Sequence, residues 1–195
     1  MNSAREEFLK IAHAALAGDP LLPTLGVEGD GPDFRYSVDQ GPLPSKLAGT
    51  EFSPAPPFAR DDLLKVLATA TRSRWQRGQL PTQVNLDDLS SYFKACRVSL
   101  AVDPGWFDLL FSVFHLAVGL GAANRWETLQ VKEKYGTLRI YYEAEPDVVD
   151  GLDRIIEAAE HLSGHICEKC GAPGELRPGG YVRTLCDEHA GGSNG

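Results

Sequence analysis

The sequence predicts an α+β protein, on three observations. Apolar residues recur at helical spacing in several separated stretches. Two-residue alternation runs on both sides of Tyr135-Gly136. The pair Cys167 and Cys170 is answered, after fifteen intervening residues, by Cys186 and His189. In chain order these make N-terminal helices with an irregular Pro/Gly-rich arm, then a helix, a β-hairpin and a further helix, followed by a small cysteine-rich module. The expected division is 1–100 for the helical region, with the arm at 19–60, then 101–190 for the second unit. The tail 191–195, Gly-Gly-Ser-Asn-Gly, has no side chains that could pack and is expected to be disordered.

Composition narrows the class. With 43% hydrophobic and 24% charged residues the chain is ordinary for a globular protein. Residues 1–59 carry 4 basic and 8 acidic groups, 60–124 carry 7 and 6, and 125–195 carry 8 and 13, so the net charge of −8 includes no basic domain. That argues against a protein that coats nucleic acid through charge alone. The start has neither the basic nor the apolar region of a signal peptide, so the cytoplasm is the expected compartment. The apolar run from Trp106 to Ala123 is too short and too polar for a membrane span.

The elements follow in order. Ser3 and Glu6 form a capping box, and Phe8, Ile11, Ala12, Ala15 and Leu16 predict a first helix from about Ala4 to Ala17, stopped by Gly18. From Asp19 to Arg60, Pro and Gly punctuate an irregular stretch in which only Phe34 to Val38 alternates like a strand. Its aromatic residues, Phe34, Tyr36, Phe52 and Phe58, predict an arm that wraps the core. Asp61 and Asp62 open a second helix that Arg72, Arg74 and Arg77 close as dipole partners. Asn85 caps a third helix through Leu86, Leu89, Tyr92, Phe93 and Cys96, the last read as a buried inert thiol. A short strand covers Arg97 to Val102. Asp103 as N-cap and Pro104 start a fourth helix to about Leu120, apolar nearly all round and so expected at the centre of the core, with His115 as a core histidine.

The hairpin is the strongest strand signal. Leu129, Val131, Leu138, Ile140 and Tyr142 share one face by parity, and Gln130, Lys132, Lys134, Arg139 and Tyr141 share the other. Lys132, Lys134, Arg139 and Tyr141 are the candidate surface for a partner or nucleic acid, since lysines and arginines track phosphates and a tyrosine can stack on a base. Glu133 falls on the apolar face, an anomaly beside the turn. A fifth helix, with a stripe from Val148 to Leu162, leads into the cysteine module.

Cys-x2-Cys-x15-Cys-x2-His is the spacing of a zinc site, because two knuckles of two ligands each supply four tetrahedral donors. Thiols that stay reduced in a cytosolic chain also favour metal over disulfides. Cys167, Cys170, Cys186 and His189 are the expected ligands, with His165 and His161 competing for the fourth position. Four good donors close the shell, so the Zn²⁺ is expected to be structural. The histidine–glutamate pairing of zinc deaminases and the flanking motif of HNH nucleases do not occur beside it, and no catalytic residue is assigned.

Three stretches, Gly105 to Leu110, Val131 to Tyr142 and Ala159 to Ala190, together resemble a family of small uncharacterised proteins of bacteria, phages and prophages. Val131-Lys132-Glu133-Lys134-Tyr135-Gly136-Thr137-Leu138-Arg139 carries that family's distinctive Val-Lys-Glu-Lys-aromatic-Gly-x-Leu-Arg signature. The resemblance covers about residues 104–190 and implies a bacterial or phage context, with hairpin, helix and zinc knuckles in one unit. The cysteine module separately is similar to a zinc ribbon or treble clef, a likeness of fold that does not fix function. The expected function is a non-enzymatic, zinc-stabilised protein acting through a protein partner, with a nucleic-acid regulator as the alternative and a zinc hydrolase or nuclease behind both.

Overall fold

The computed structural model describes residues 3–44, 56–76, 78 and 100–191. Helix α1 spans Ala4–Ala15, and the capping box is formed: Ser3 N–H donates to Glu6 Oε2 (2.9 Å) and Glu6 N–H to Ser3 Oγ (3.2 Å). Its stripe Phe8, Ile11, Ala12 and Ala15 is buried, as 3.6-residue periodicity requires of a helix with one apolar face.

The described part of the arm wraps the helices. It holds a 3₁₀ turn at Leu22–Thr24 and a two-stranded antiparallel ribbon, β1 (Gly26–Glu28) with β2 (Arg35–Ser37). Phe34, 1% exposed, and Tyr36 lie on the ring of Phe8, at centroid distances of 4.8 and 5.5 Å. Helix α2, Arg60–Gln76, holds the arm with two arginines. Arg60, fully buried, is bidentate to Asp19 and donates to Gly41 O (2.9 Å). Arg72 donates to Phe34 O (2.6 Å) with its guanidinium 4.9 Å from the same ring. Arg72 and Arg74 therefore make specific contacts where sequence reading had them as dipole partners. Phe52, Arg77 and the expected third helix with Cys96 lie outside the described residues.

Strand β3 (Leu100–Ala101) pairs in parallel with β4 (Trp126–Lys134), which pairs in antiparallel with β5 (Thr137–Ala144). Between them come a 3₁₀ turn, Pro104–Trp106, and helix α3, Phe107–Gly119. Asp103 makes no side-chain cap; its carboxylate turns instead to Lys169 and Arg183, at 2.7 and 2.8 Å. Helix α3 buries Leu109, Leu110, Val113 and Ala117, but Phe111 and Val118 are exposed and His115 stacks on Phe111 at the surface. The helix is thus central on one side only, and His115 is not a core residue.

The hairpin turns on Tyr135 and Gly136, both at positive φ (53° and 76°), the type I′ geometry that matches strand twist. A bulge between Thr128 and Gln130 shifts the register, burying Thr128 and turning Leu129 outward at 50% exposure, so Leu129 leaves the apolar face. Helix α4, Pro146–Ser163, packs along the outer edge of β5 and satisfies that edge: Leu138 N–H donates to Ser163 Oγ (2.8 Å) and Ile140 N–H to Glu160 Oε1 (2.7 Å). A short ribbon, β6 (Glu175–Arg177) with β7 (Arg183–Leu185), and helix α5 (Asp187–Gly191) complete the chain. One buried apolar cluster is shared by α1, α2, α3, α4 and the inner face of β4 and β5, and it runs across residue 100. Among the described residues no helix is long and apolar enough to cross a membrane.

Candidate metal centre

Two backbone turns build the centre. After α4 the chain makes a knuckle in which Gly171 N–H donates to Cys167 O and Cys167 N–H to Ala172 O, each at 2.8 Å, with Gly171 at φ 77°. Ribbon β6–β7 then returns the chain to Cys186, where α5 starts and Ala190 N–H donates to Cys186 O (2.9 Å). This places His189 beside the sulfurs. The ligand atoms of Cys167, Cys170, Cys186 and His189 all lie within 4.8 Å of one another.

Two of the six edges among these donors have the lengths of a tetrahedral metal shell. Cys170 Sγ and Cys186 Sγ are 3.8 Å apart and Cys167 Sγ is 3.6 Å from His189 Nδ1. Bonds of about 2.3 Å to sulfur and about 2.05 Å to nitrogen at tetrahedral angles would give edges of about 3.8 and 3.6 Å. The edge from Cys186 Sγ to His189 Nδ1, 3.1 Å, is tighter. These three cysteines and one histidine can hold a metal ion. Cys167 is fully buried, Cys170 and Cys186 are half-buried, and His189 is exposed. The hydrogen bond from Cys170 pulls the Cys167 thiol down to about 4 against the cost of burial, with backbone amides assisting, and the same bond and burial push Cys170 up.

The competing histidines are elsewhere. His161 Nε2 donates to Ala15 O (2.8 Å), and the His165 ring lies 5.6 Å from that of His161. Burial lowers the pKa of both, that of His165 to about 4 with the charge of His161 adding to the effect. His161 thus faces α1, His165 lies against it, and neither belongs to the donor cluster.

The knuckle is held from outside by its carbonyls. Trp106 Nε1–H donates to Ile166 O (2.8 Å), Gly105 N–H to Glu168 O (2.7 Å) and Arg74 Nε–H to Cys170 O (3.2 Å). Arg74 also pairs with buried Glu7, whose carboxyl is raised by burial despite that partner. Neither Arg74 nor Trp106 carried a sequence signal for this role, since both act across large separations. Glu133 did carry one: its place on an apolar face is explained by Oε1 accepting from Gly136 N–H (2.5 Å) and Oε2 from the Tyr181 hydroxyl, which ties the turn to the cysteine module.

On the outer hairpin face, Lys132 Nζ stands 4.7 Å from the Tyr141 ring and Lys134 Nζ 5.7 Å from the Tyr135 ring. Lys132 and Arg139 are cross-strand partners, and their like charges are relieved because Arg139 reaches away to Glu160 (3.6 Å) and Leu138 O (2.5 Å). The face therefore keeps Lys132, Lys134 and Tyr141 toward solvent, with Arg139 engaged by α4. In comparison with known proteins, no family model matches this chain, and neither a curated protein nor a solved structure matches it.

Proposed function

We propose that this chain is a non-enzymatic, zinc-stabilised binding protein whose target is another protein, of the regulator, inhibitor or immunity type. The closed donor set carries the reading. Three sulfurs and one imidazole nitrogen within 4.8 Å of one another offer the four donors that a tetrahedral shell needs, and this donor set suits zinc, whereas a catalytic zinc keeps a position for water. The order knuckle, two-stranded ribbon, short helix supports a treble-clef-like module. A reducing, cytoplasmic compartment suits its thiols, and the hairpin signature supports a bacterial or phage setting. His161, bonded to Ala15 O, and His165, set against its ring, lie outside the donor cluster and are poorly placed as general bases.

The alternative is a nucleic-acid regulator. It is favoured by two lysine–tyrosine pairs in a row on the hairpin and opposed by the engagement of Arg139 with Glu160. Native mass spectrometry should find one zinc per chain, lost on Cys186→Ser. Labelled DNA and RNA, titrated across a salt series, should give no binding at low salt. A steep salt slope abolished by Lys132→Ala and Arg139→Ala would overturn the protein-partner reading in favour of the alternative.

A further inference from the structure

The hairpin turns alternate rungs away from the core, and the charges on those rungs are sorted by position. On the outer face the register sets Glu127 opposite Glu143, Gln130 opposite Tyr141 and Lys132 opposite Arg139, with Lys134 nearer the turn. Val131, Leu138 and Ile140 are buried on the other face. At about 3.4 Å per residue the acidic and basic rungs stand about 13 Å apart, with the Gln130–Tyr141 rung midway. The bulge adds Leu129 to this middle rung at 50% exposure, and Tyr141 is 41% exposed. An apolar centre is thus flanked by an acidic end and a basic end, the anatomy of an interface core with a charged rim.

Each end carries charge that the chain itself does not answer. Glu127 and Glu143 are exposed and directly opposite, and neither is ion-paired among the described residues, so their like charges repel. Lys132 and Lys134 meet no carboxylate among the described residues either; their ammonium groups stand over the rings of Tyr141 and Tyr135. Arg139 is turned to Glu160. The two glutamates and two lysines sum to zero on a chain whose net charge is −8, so this face is one on which two acidic copies can meet without local like-charge repulsion.

We propose that a second copy of this chain docks on this face, outer hairpin to outer hairpin, about a two-fold axis that runs along the Gln130–Tyr141 rung. Rotation about that axis reverses the strands. It lays Glu127 and Glu143 of each copy over the lysine end of the other, and it brings Leu129 and Tyr141 of both copies together at the centre. Face-packed sheets stand about 10 Å apart, a gap that glutamate and lysine side chains span together. One closed pair then answers the four free charges of both copies. The pattern is its own complement, which favours a second copy over an unrelated partner. A phosphate backbone laid along the strands would leave Lys134 and Lys132 only to run onto Glu127 and Glu143, which disfavours nucleic acid. The face is one hairpin wide, small for an obligate interface, so the pair exchanges with monomer at micromolar concentrations. Self-association goes beyond the protein-binding reading above and does not depend on it.

The test is sedimentation velocity on the full chain, purified with zinc, across a concentration series that reaches the high micromolar range. A monomer–dimer equilibrium is expected. Glu127→Lys/Glu143→Lys makes the face basic throughout, and Lys132→Glu/Lys134→Glu makes it acidic throughout. Each double variant alone should stay monomeric, and an equimolar mixture of the two should dimerise again, which also shows that both are folded. The fourfold exchange keeps the net charge at −8 and reverses the pattern, so it should dimerise like wild type. Leu129→Asp, at an exposed position, should weaken the dimer about tenfold or more by placing two carboxylates at its centre, and it decides the matter if a charge variant does not fold. A monomer at every concentration, a dimer indifferent to the double variants or to Leu129→Asp, or a mixture that stays monomeric would overturn the proposal. DNA binding lost in Lys132→Glu/Lys134→Glu, with no dimer, would give the face to nucleic acid and remove the protein-partner reading as well. A monomer that binds no nucleic acid would remove the dimer alone and leave the protein-partner reading standing.

Discussion

Gly105 has no room for a side chain, since a Cβ there would lie 2.1 Å from Cys167 O and 2.6 Å from Glu168 O. Both are backbone atoms of the knuckle and neither can move without shifting a metal ligand. Gly105→Ala should therefore cost about 3 kcal/mol of stability, at the upper end for overpacking, and weaken metal affinity in competition with a chromophoric chelator. Arg74 acts through charge. With Glu7 only 6% exposed, Arg74→Met leaves a buried carboxylate without its cation, a loss of about 3–5 kcal/mol. The double variant Glu7→Gln/Arg74→Met should recover much of it in thermal denaturation. An unchanged midpoint in the single variant would remove Arg74 from the account. Neither residue was legible beforehand: a glycine before a tryptophan and an arginine near a helix end are common, and their partners lie far along the chain.

The hairpin and the helix beside it divide into what local pattern reveals and what it hides. Alternation and the Tyr135-Gly136 turn were readable because turn chemistry and side-chain parity act over a few residues. The bulge that exposes Leu129 was not, because it depends on the register with β5, and neither was the way α4 closes the sheet edge. Glu160 sits at that closure, accepting Ile140 N–H, with its carboxyl pushed up to about 7 by burial against the opposing pull of that amide and Arg139. Its folded pKa lies above the ordinary carboxyl value of 4.5. Its contribution to stability is therefore fully present below about 4.5 and is lost as pH rises through about 7. His161, lowered by burial, runs in the opposite sense and is common to wild type and a Glu160 variant. The stability of Glu160→Gln minus that of wild type, from urea titrations, should thus grow by about 3 kcal/mol between acid pH and pH 8, at 1.36 kcal/mol per unit. A pH-independent difference would mean that Glu160 is charged and adequately paired throughout.

At the scale of the molecule, the cysteine spacing was legible but its attachment was not: a knuckle reads the same whether it hangs from a domain or is built into one. Three carbonyls of the knuckle region are held by Trp106, Gly105 and Arg74, and Arg74 continues to α1 through Glu7. Thr184 Oγ1 donates to Gly136 O (2.5 Å), joining the same module to the hairpin turn. Metal binding is folding energy where the site does not exist in the unfolded chain, and a metal held at this site would couple that energy to the shared core. Chelation should therefore act on the whole protein, not on its last thirty residues alone. If the metal contributes about 5 kcal/mol, a chain of this length should lose about 10–20 °C in Tm. The loss should come as a single transition in which hydrogen-exchange protection of α1 falls together with that of β5. Protection that persisted in α1 while the cysteine module exchanged freely would separate the two. The arginine and tryptophan contacts would then be adornments of a core that stands without them.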